Sequence, residues 1–200
     1  MSALLDAIAE GEGEVRGLSF EAEDVAGTDI GRVEFEDCTF RGCSFADAQL
    51  LRASFERCDL TECDLTNARM AVAYLRGTRL IECRCVGIDL HQAILVRASI
   101  SDANLAYANL SEAKLEQVRL ARCDLHEATL AQLRLKRLEL ESCDLTRAEL
   151  FGTRLRGVDL SGCELAGMRF SSGFSELAGA KIAPDQAIDL VSLLSVRIVT

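Results

Sequence analysis

Large apolar side chains recur at every fifth position from Val15 to Phe170 without a slip of phase. These positions hold Val, Phe, Ile, Met and Leu, with Leu at every one from 105 to 165, and only Cys85 is not a bulky hydrophobe. A helix repeats every 3.6 residues and a strand every 2, so neither element produces a period of five. A fixed repeat predicts a solenoid, in which each turn buries its apolar side against its neighbours. The residue two before each large position forms a second inward site. From Leu18 onward it is mainly Ala, Cys, Thr or Val, as in Cys38, Cys43, Ala48 and Ala53. One large and one small inward residue per pentad suit a narrow, filled interior. The remaining positions are polar and point outward. Gly13 and Glu23 break the small-apolar rule, which predicts an irregular first turn.

The run Ala103-Asn104-Leu105-Ala106-Tyr107-Ala108-Asn109-Leu110 resembles the pentapeptide-repeat proteins, whose motif is Ala-Asp/Asn-Leu-x-x. The resemblance implies an all-β fold, a right-handed quadrilateral β-helix with four pentads per turn. At that count the repeats fill about eight coils, and a strand spacing of ~4.8 Å makes a rod roughly 38 Å long. The expected organisation is an N-terminal cap and linker over 1–14, the β-helix over 15–173, and a C-terminal capping and dimerisation segment with a helix over 174–200.

Composition narrows the chemistry. The 200 residues carry a net charge of −10, no Trp and one Pro. Binding to DNA or RNA needs a basic footprint, so direct nucleic-acid binding is not expected, whereas a protein that itself holds nucleic acid suits this charge. The N-terminus lacks the basic start and apolar run of a signal peptide, and no stretch approaches ~18 consecutive apolar residues. A soluble, cytoplasmic protein without membrane attachment is therefore expected. Eight of the nine Cys occupy the small inward site and Cys85 a large one, so they read as core filler rather than metal ligands or disulfides. His91 and His126 each follow a large position and point outward and apart. No Gly-x-x-x-x-Gly-Lys loop, His-Glu-x-x-His or nucleophile elbow appears, and a solid prism lacks a substrate pocket. Neither an enzyme nor a cofactor is expected.

Four pentads per coil let the outward residues be sorted onto four faces by position modulo 20. The Phe20 face carries eight acids and four Arg, and the Val25 face seven acids with only Arg84 and Arg147 opposing them. The Ile30 face is balanced. The Val15 face has six acids and ten bases, with Lys114, Arg134, Lys136, Arg137, Arg154 and Arg156 crowded toward its C-terminal end. Asp or Asn before the large position suits turn geometry, yet Arg takes that place seven times, so acid clustering by face carries information beyond the motif. The candidate partner-binding strip comprises Asp24, Asp47, Asp59, Glu62, Asp64, Glu82, Asp102, Asp124, Glu127, Asp144 and Glu164. Val72, Tyr74, Ile94 and Val96 form a candidate apolar contact patch, a site for a partner or for the folded-back N-terminal segment.

Solenoid ends need caps. Ser2 to Glu10 reads as a short amphipathic helix with Ser2 as N-cap. At the other end Pro184 and Asp185 open a helix whose apolar residues are Ala187, Leu190, Val191 and Leu194, followed by a strand through Val196 and Ile198. Leu193 lies on a second side, so this segment is the candidate dimer interface. Gly179-Ala180-Lys181-Ile182 with Gln186-Ala187, and Cys83-Arg84-Cys85-Val86-Gly87, are similar to the Qnr quinolone-resistance proteins and to the mycobacterial fluoroquinolone-resistance and albicidin-resistance proteins. That resemblance implies a homodimeric rod that mimics duplex DNA and binds DNA gyrase or topoisomerase IV. The unbroken phase leaves no room for the projecting loops of plasmid-borne Qnr proteins, so gyrase binding, inhibition, or protection against a natural poison is expected rather than quinolone protection. The alternative is a scaffold that docks another protein on the apolar patch or the basic ridge.

Overall fold

A computed structural model describes residues 2–193. The five-residue period becomes a parallel β-solenoid in which each residue pairs with the one 20 positions on, as in Val15↔Phe35 and Phe40↔Leu60. Strands β1 (Glu14–Arg16), β3 (Glu34–Glu36), β5 (Ser54–Glu56), β7 (Tyr74–Arg76) and β9 (Ile94–Val96) stack on the Val15 face. On the Phe20 face stack β2 (Ser19–Glu21), β4 (Thr39–Arg41), β6 (Asp59–Thr61), β8 (Arg79–Ile81) and β10 (Ser99–Ser101). Two longer strands, β11 (Lys114–Ala121) and β12 (Arg134–Glu141), run across both faces. The Val25 and Ile30 faces are held by isolated parallel bridges, in columns running from Asp24 to Glu164 and from Asp29 to Arg169, each with eight members.

Four sides require four corners per coil, and the backbone pattern supplies them. Every fifth residue from Glu12 to Gly157 has a positive φ, the left-handed conformation that non-glycine residues adopt only at a cost. Most of these are Gly, Asn, Asp or long polar residues. Val72, with φ 58°, is the β-branched exception and stays 41% exposed.

The interior follows the inward pair. Phe35, Phe40, Phe45 and Phe55 are buried and interleave at centroid distances of 5.0–6.2 Å, giving the N-terminal half an aromatic core that Leu replaces further on. The buried Cys are more than filler. Cys38 Sγ lies 3.4 Å from the carbonyls of both Val15 and Glu36, and the pattern recurs at Cys43, Cys58, Cys63, Cys83, Cys123 and Cys143. Thr78 Oγ1 donates to Phe55 O at 2.6 Å and Thr153 Oγ1 to Leu130 O at 2.6 Å from equivalent sites. A small donor at this position adds a side-chain contact to carbonyls that already accept from the ladder, as Glu36 O does from Gly17 N at 2.9 Å. Burial pushes the Cys85 thiol, at a large position, up to about 12.

Both described ends are capped by polar residues. Helix α1 (Ala3–Glu10) is N-capped by Ser2 and buries Leu4 over the first coil. Glu23, anomalous in the repeat, accepts from Ser2 Oγ at 2.5 Å and from Leu4 N at 3.5 Å, a carboxylate at the positive end of the helix. A short 3₁₀ turn, Ser175–Leu177, presents the buried Glu176, which accepts from the amides of Gly152 at 2.9 Å and Ser171 at 3.2 Å and from the Ser171 hydroxyl. Helix α2 spans Gln186–Leu193; Pro184 and Asp185 precede it in a turn rather than in its first turn. Gln186 Nε2 donates to Leu160 O at 2.8 Å and Cys163 O at 2.6 Å, closing carbonyls of the last coil.

Val72→Asn removes a β-branched side chain from a left-handed corner and is expected to stabilise the rod by about 1 kcal/mol, read as a higher denaturation midpoint; a fall would show that the side chain contributes packing instead. Glu176 titrates at about 2, because burial, which opposes the charge, is outweighed by its Ser171 and Gly152 hydrogen bonds. A depressed folded pKa contributes stability that is present above the ordinary value of 4.5 and lost as pH falls toward about 2. The stability difference between wild type and Glu176→Gln should therefore shrink across that interval, and a difference independent of pH would contradict it.

Candidate interaction surface

The acidic residues divide into three groups by what they touch. On the Phe20 face most are paired in place: Asp59 with Arg79 at 2.6 Å, Asp102 with Arg122 at 2.6 Å, and Glu62 with Arg41 at 3.5 Å. The hydrogen bonds from Arg122 hold the Asp102 carboxyl below its ordinary range. The Glu82 carboxylate on that face has no hydrogen bond or ion pair among the described residues. The Val15-face acids Glu36, Asp37 and Glu56 surround Arg57, so the N-terminal end of that face is also neutralised.

The Val25 face differs. Its bridged column reads Asp24, Ser44, Asp64, Arg84, Asn104, Asp124, Asp144, Glu164, and none of its acids forms an ion pair among the described residues. Asp124, Asp144 and Glu164 occupy three successive coils, an arrangement in which like charges oppose one another across the ladder. Glu127, beside them, pairs with Arg147 at 3.2 Å, and Asp47 accepts from Asn67 Nδ2 at 3.2 Å.

This column also has a structural task. Asp24, Asp64, Asp124 and Asp144 each accept, through Oδ1, the backbone N–H two residues on, at 3.0, 2.9, 2.9 and 2.7 Å, and Asn104 does the same at 2.9 Å. These are Asx turns, needed where a face turns without a strand. On this face the turn geometry favours Asp or Asn, the structural share that the sequence pattern left open. It does not demand charge, as Asn104 demonstrates.

Tyr107 lies within the repeat motif, and its place on this surface emerges only with the backbone. It is 57% exposed, sits at a left-handed corner with φ 61°, and meets His126 edge-on at 5.9 Å among the acids. An aromatic at a corner position is the signal that marks it. The residues of the candidate apolar patch lie on neighbouring coils, with Tyr74↔Ile94 and Arg76↔Val96 as register pairs. Ile94 and Val72 are exposed, while Tyr74 and Val96 are half-buried. Helix α1 packs at β1 and leaves the patch uncovered.

At the C-terminal end Ala187, Leu190 and Val191 are half-buried on α2, and Leu190 packs on the core. Leu193 ends the helix, and Leu194, Val196 and Ile198 lie outside the described residues. Ile188, 60% exposed, presents an apolar surface of this helix that the sequence pattern did not single out.

The filled prism is also incomplete. Between β12 and residues 154–161 lies a cleft of about 670 Å³ at the junction of the Val15 and Phe20 faces. Two small inward sites beside it hold the larger Leu133 and Leu138.

The model of a pentapeptide repeat region matches residues 33–110 and 53–130, and that of pentapeptide repeats (8 copies) matches 123–162. The chain belongs to the pentapeptide-repeat family. Among solved structures it is similar to two trypsin-treated variants of QnrB1, a plasmid-mediated fluoroquinolone resistance protein. One variant aligns at 22% identity and TM-score 0.52 over 94% of this chain and 99% of that one. The second aligns at 23% identity and TM-score 0.50 over 94% and 90%. At these identities the likeness is one of fold. No curated protein matches the sequence. Among the described residues no three His, Cys, Asp or Glu converge as a metal site, and no helix is long and apolar enough to cross a membrane.

Tyr107→Asn keeps a residue suited to the left-handed corner, so its denaturation midpoint should equal or exceed that of wild type. A marked loss of stability would mean that the Tyr107–His126 contact is structural and not a surface held for a partner.

Proposed function

We propose that this protein is a non-enzymatic, homodimeric DNA mimic that binds a type II topoisomerase, DNA gyrase or topoisomerase IV, and modulates it or shields it from a poison. The observation that carries this reading is the unpaired acidic column Asp124–Asp144–Glu164 on the Val25 face. Elsewhere on the rod arginines pair with many of the acids, but here three successive coils of like charge remain open beside an exposed aromatic. Ladders of like charge cost stability, and a surface that keeps them offers a negative field to a basic groove that normally holds DNA. Tyr107 is suited to anchor such a contact, since exposed aromatics recur as binding hot spots. The fluoroquinolone resistance role of QnrB1 supports the same direction. Pairing of two rods through α2 would double the length of the strip.

The test must separate charge from turn geometry. Asp64→Asn/Asp124→Asn/Asp144→Asn keeps every Asx turn, as Asn104 does, and removes only charge. Purified wild type is expected to inhibit gyrase supercoiling or rescue it from a poison, with an effect that fades at high salt. The triple variant should keep its denaturation midpoint and lose about tenfold in potency. Equal potency of the two proteins would defeat the acidic-column mechanism.

A further inference from the structure

We propose that the cleft between β12 and residues 154–161 binds an extended acidic peptide of a partner protein as an added β-strand. The inference is independent of the topoisomerase reading and uses a different side of the rod.

Everywhere else on the Val15 and Phe20 faces, one coil is joined to the next by backbone hydrogen bonds; β12 is bonded to β11 alone. Earlier coils show what is missing. Asp37 N donates to Glu56 O and Arg57 N to Arg76 O, but Arg137 N makes no such bond to residue 156. Residues 155, 157 and 160 donate forward, as their counterparts do, to the carbonyls of Glu176, Gly179 and Lys181 on the far side, so only the β12 side of this coil is open. On the two other faces the same coils remain joined, through Asp144↔Glu164 and Glu149↔Arg169. The rod is thus opened on one edge, like a wedge, with one rung of the ladder absent. The only bond from Leu133 N across the gap goes to the Thr153 hydroxyl at 2.8 Å.

Unpaired N–H and C=O groups in a row are a template for another strand, and β-augmentation uses them for affinity while side chains set specificity. Two features define the strand that fits. Leu135, Leu138 and Leu140 are half-buried along β12 where their counterparts in earlier coils are fully buried, so inward positions of the peptide should be apolar. Lys114 and Arg134 stack in register, and Arg154 follows them in the repeat. None of Arg134, Arg154 and Arg156 forms an ion pair among the described residues. A rung between Arg134 and Arg154 that carried Glu would turn a repulsive column into an alternating one. Phosphate or nucleic acid could answer the guanidinium groups but not the open backbone ladder. The chain's own residues 194–200 carry no Asp or Glu side chain and one Arg, so they lack the complementary charge.

The probe is a capped, dye-labelled seven-residue peptide alternating Glu with Leu, titrated into the full-length protein by fluorescence anisotropy. Saturable binding is expected. It should weaken about tenfold when Lys replaces Glu, when alternate amides are N-methylated, and in the Arg154→Glu/Arg156→Glu variant or the milder Arg154→Gln/Arg156→Gln. Amide hydrogen exchange gives a second readout: the amides of β12 should exchange faster than those of β11 in the free protein and slow when peptide is added. Absence of binding overturns the proposal, as does binding indifferent to N-methylation or to both arginine variants. So does displacement of the peptide by duplex DNA at a lower concentration than by unlabelled peptide. β12 amides already protected like those of β11 also overturn it, since the edge would then be filled by this chain or a second copy.

Discussion

The small inward site, two residues before each large side chain, is the constraint on which the rest of the rod depends. It lies at the corner of each coil, beside the residue where the backbone turns through a left-handed conformation. Cys and Thr are small enough for the narrow interior and carry a donor that reaches the corner carbonyls, which suits a core rich in free cysteine. Coils stack in register, 20 residues apart, around this site. Glu23 occupies such a site in the first full coil, where a carboxylate can reach past the edge to cap α1. Leu133 and Leu138 occupy it where the ladder opens, although Ile88 fills it in a coil that stays joined. Cap and core are two consequences of one position.

Much of this could be read from the residues. The five-residue beat specified a parallel solenoid, and phase alone placed the cysteines inside and the histidines outside. It could not reveal which faces would form strands and which would turn on isolated bridges, because the pentad motif is common to both. The Asx turns of Asp64, Asp124 and Asp144 depend on that distinction, so their structural share emerged only with the backbone. Ion pairs were equally hidden. Arg79 meets Asp59 and Arg122 meets Asp102 20 positions away, on neighbouring coils, and these contacts discharge much of the Phe20 face that formal counting made acidic. The bulk of Leu133 and Leu138 was visible as an exception to the small-site rule. The loss of pairing beside them, on two faces and not the others, was not.

After local pairing is taken into account, the charge that remains has a direction. Acids without ion pairs recur along the Val25 face and form an unbroken run from Asp124 to Glu164, while bases without them crowd the C-terminal half of the opposite Val15 face. Opposite charges placed one coil apart would have neutralised each other, as they do around Arg57. The fold does not forbid that solution, since Arg84 and Asn104 stand in the Val25 column between acids. The Asx turns favour Asp or Asn at Asp124 and Asp144 without requiring charge, so the charge of this column and of Lys114–Arg134–Arg154 is not demanded by the turn geometry. A scaffold with a dry, uniform core supplies a straight edge along which charge can be set at the coil spacing, and unneutralised columns on such an edge complement partners of fixed, repetitive charge. Duplex-binding grooves and extended acidic strands are two such partners, the ones proposed above for the acidic column and for the cleft.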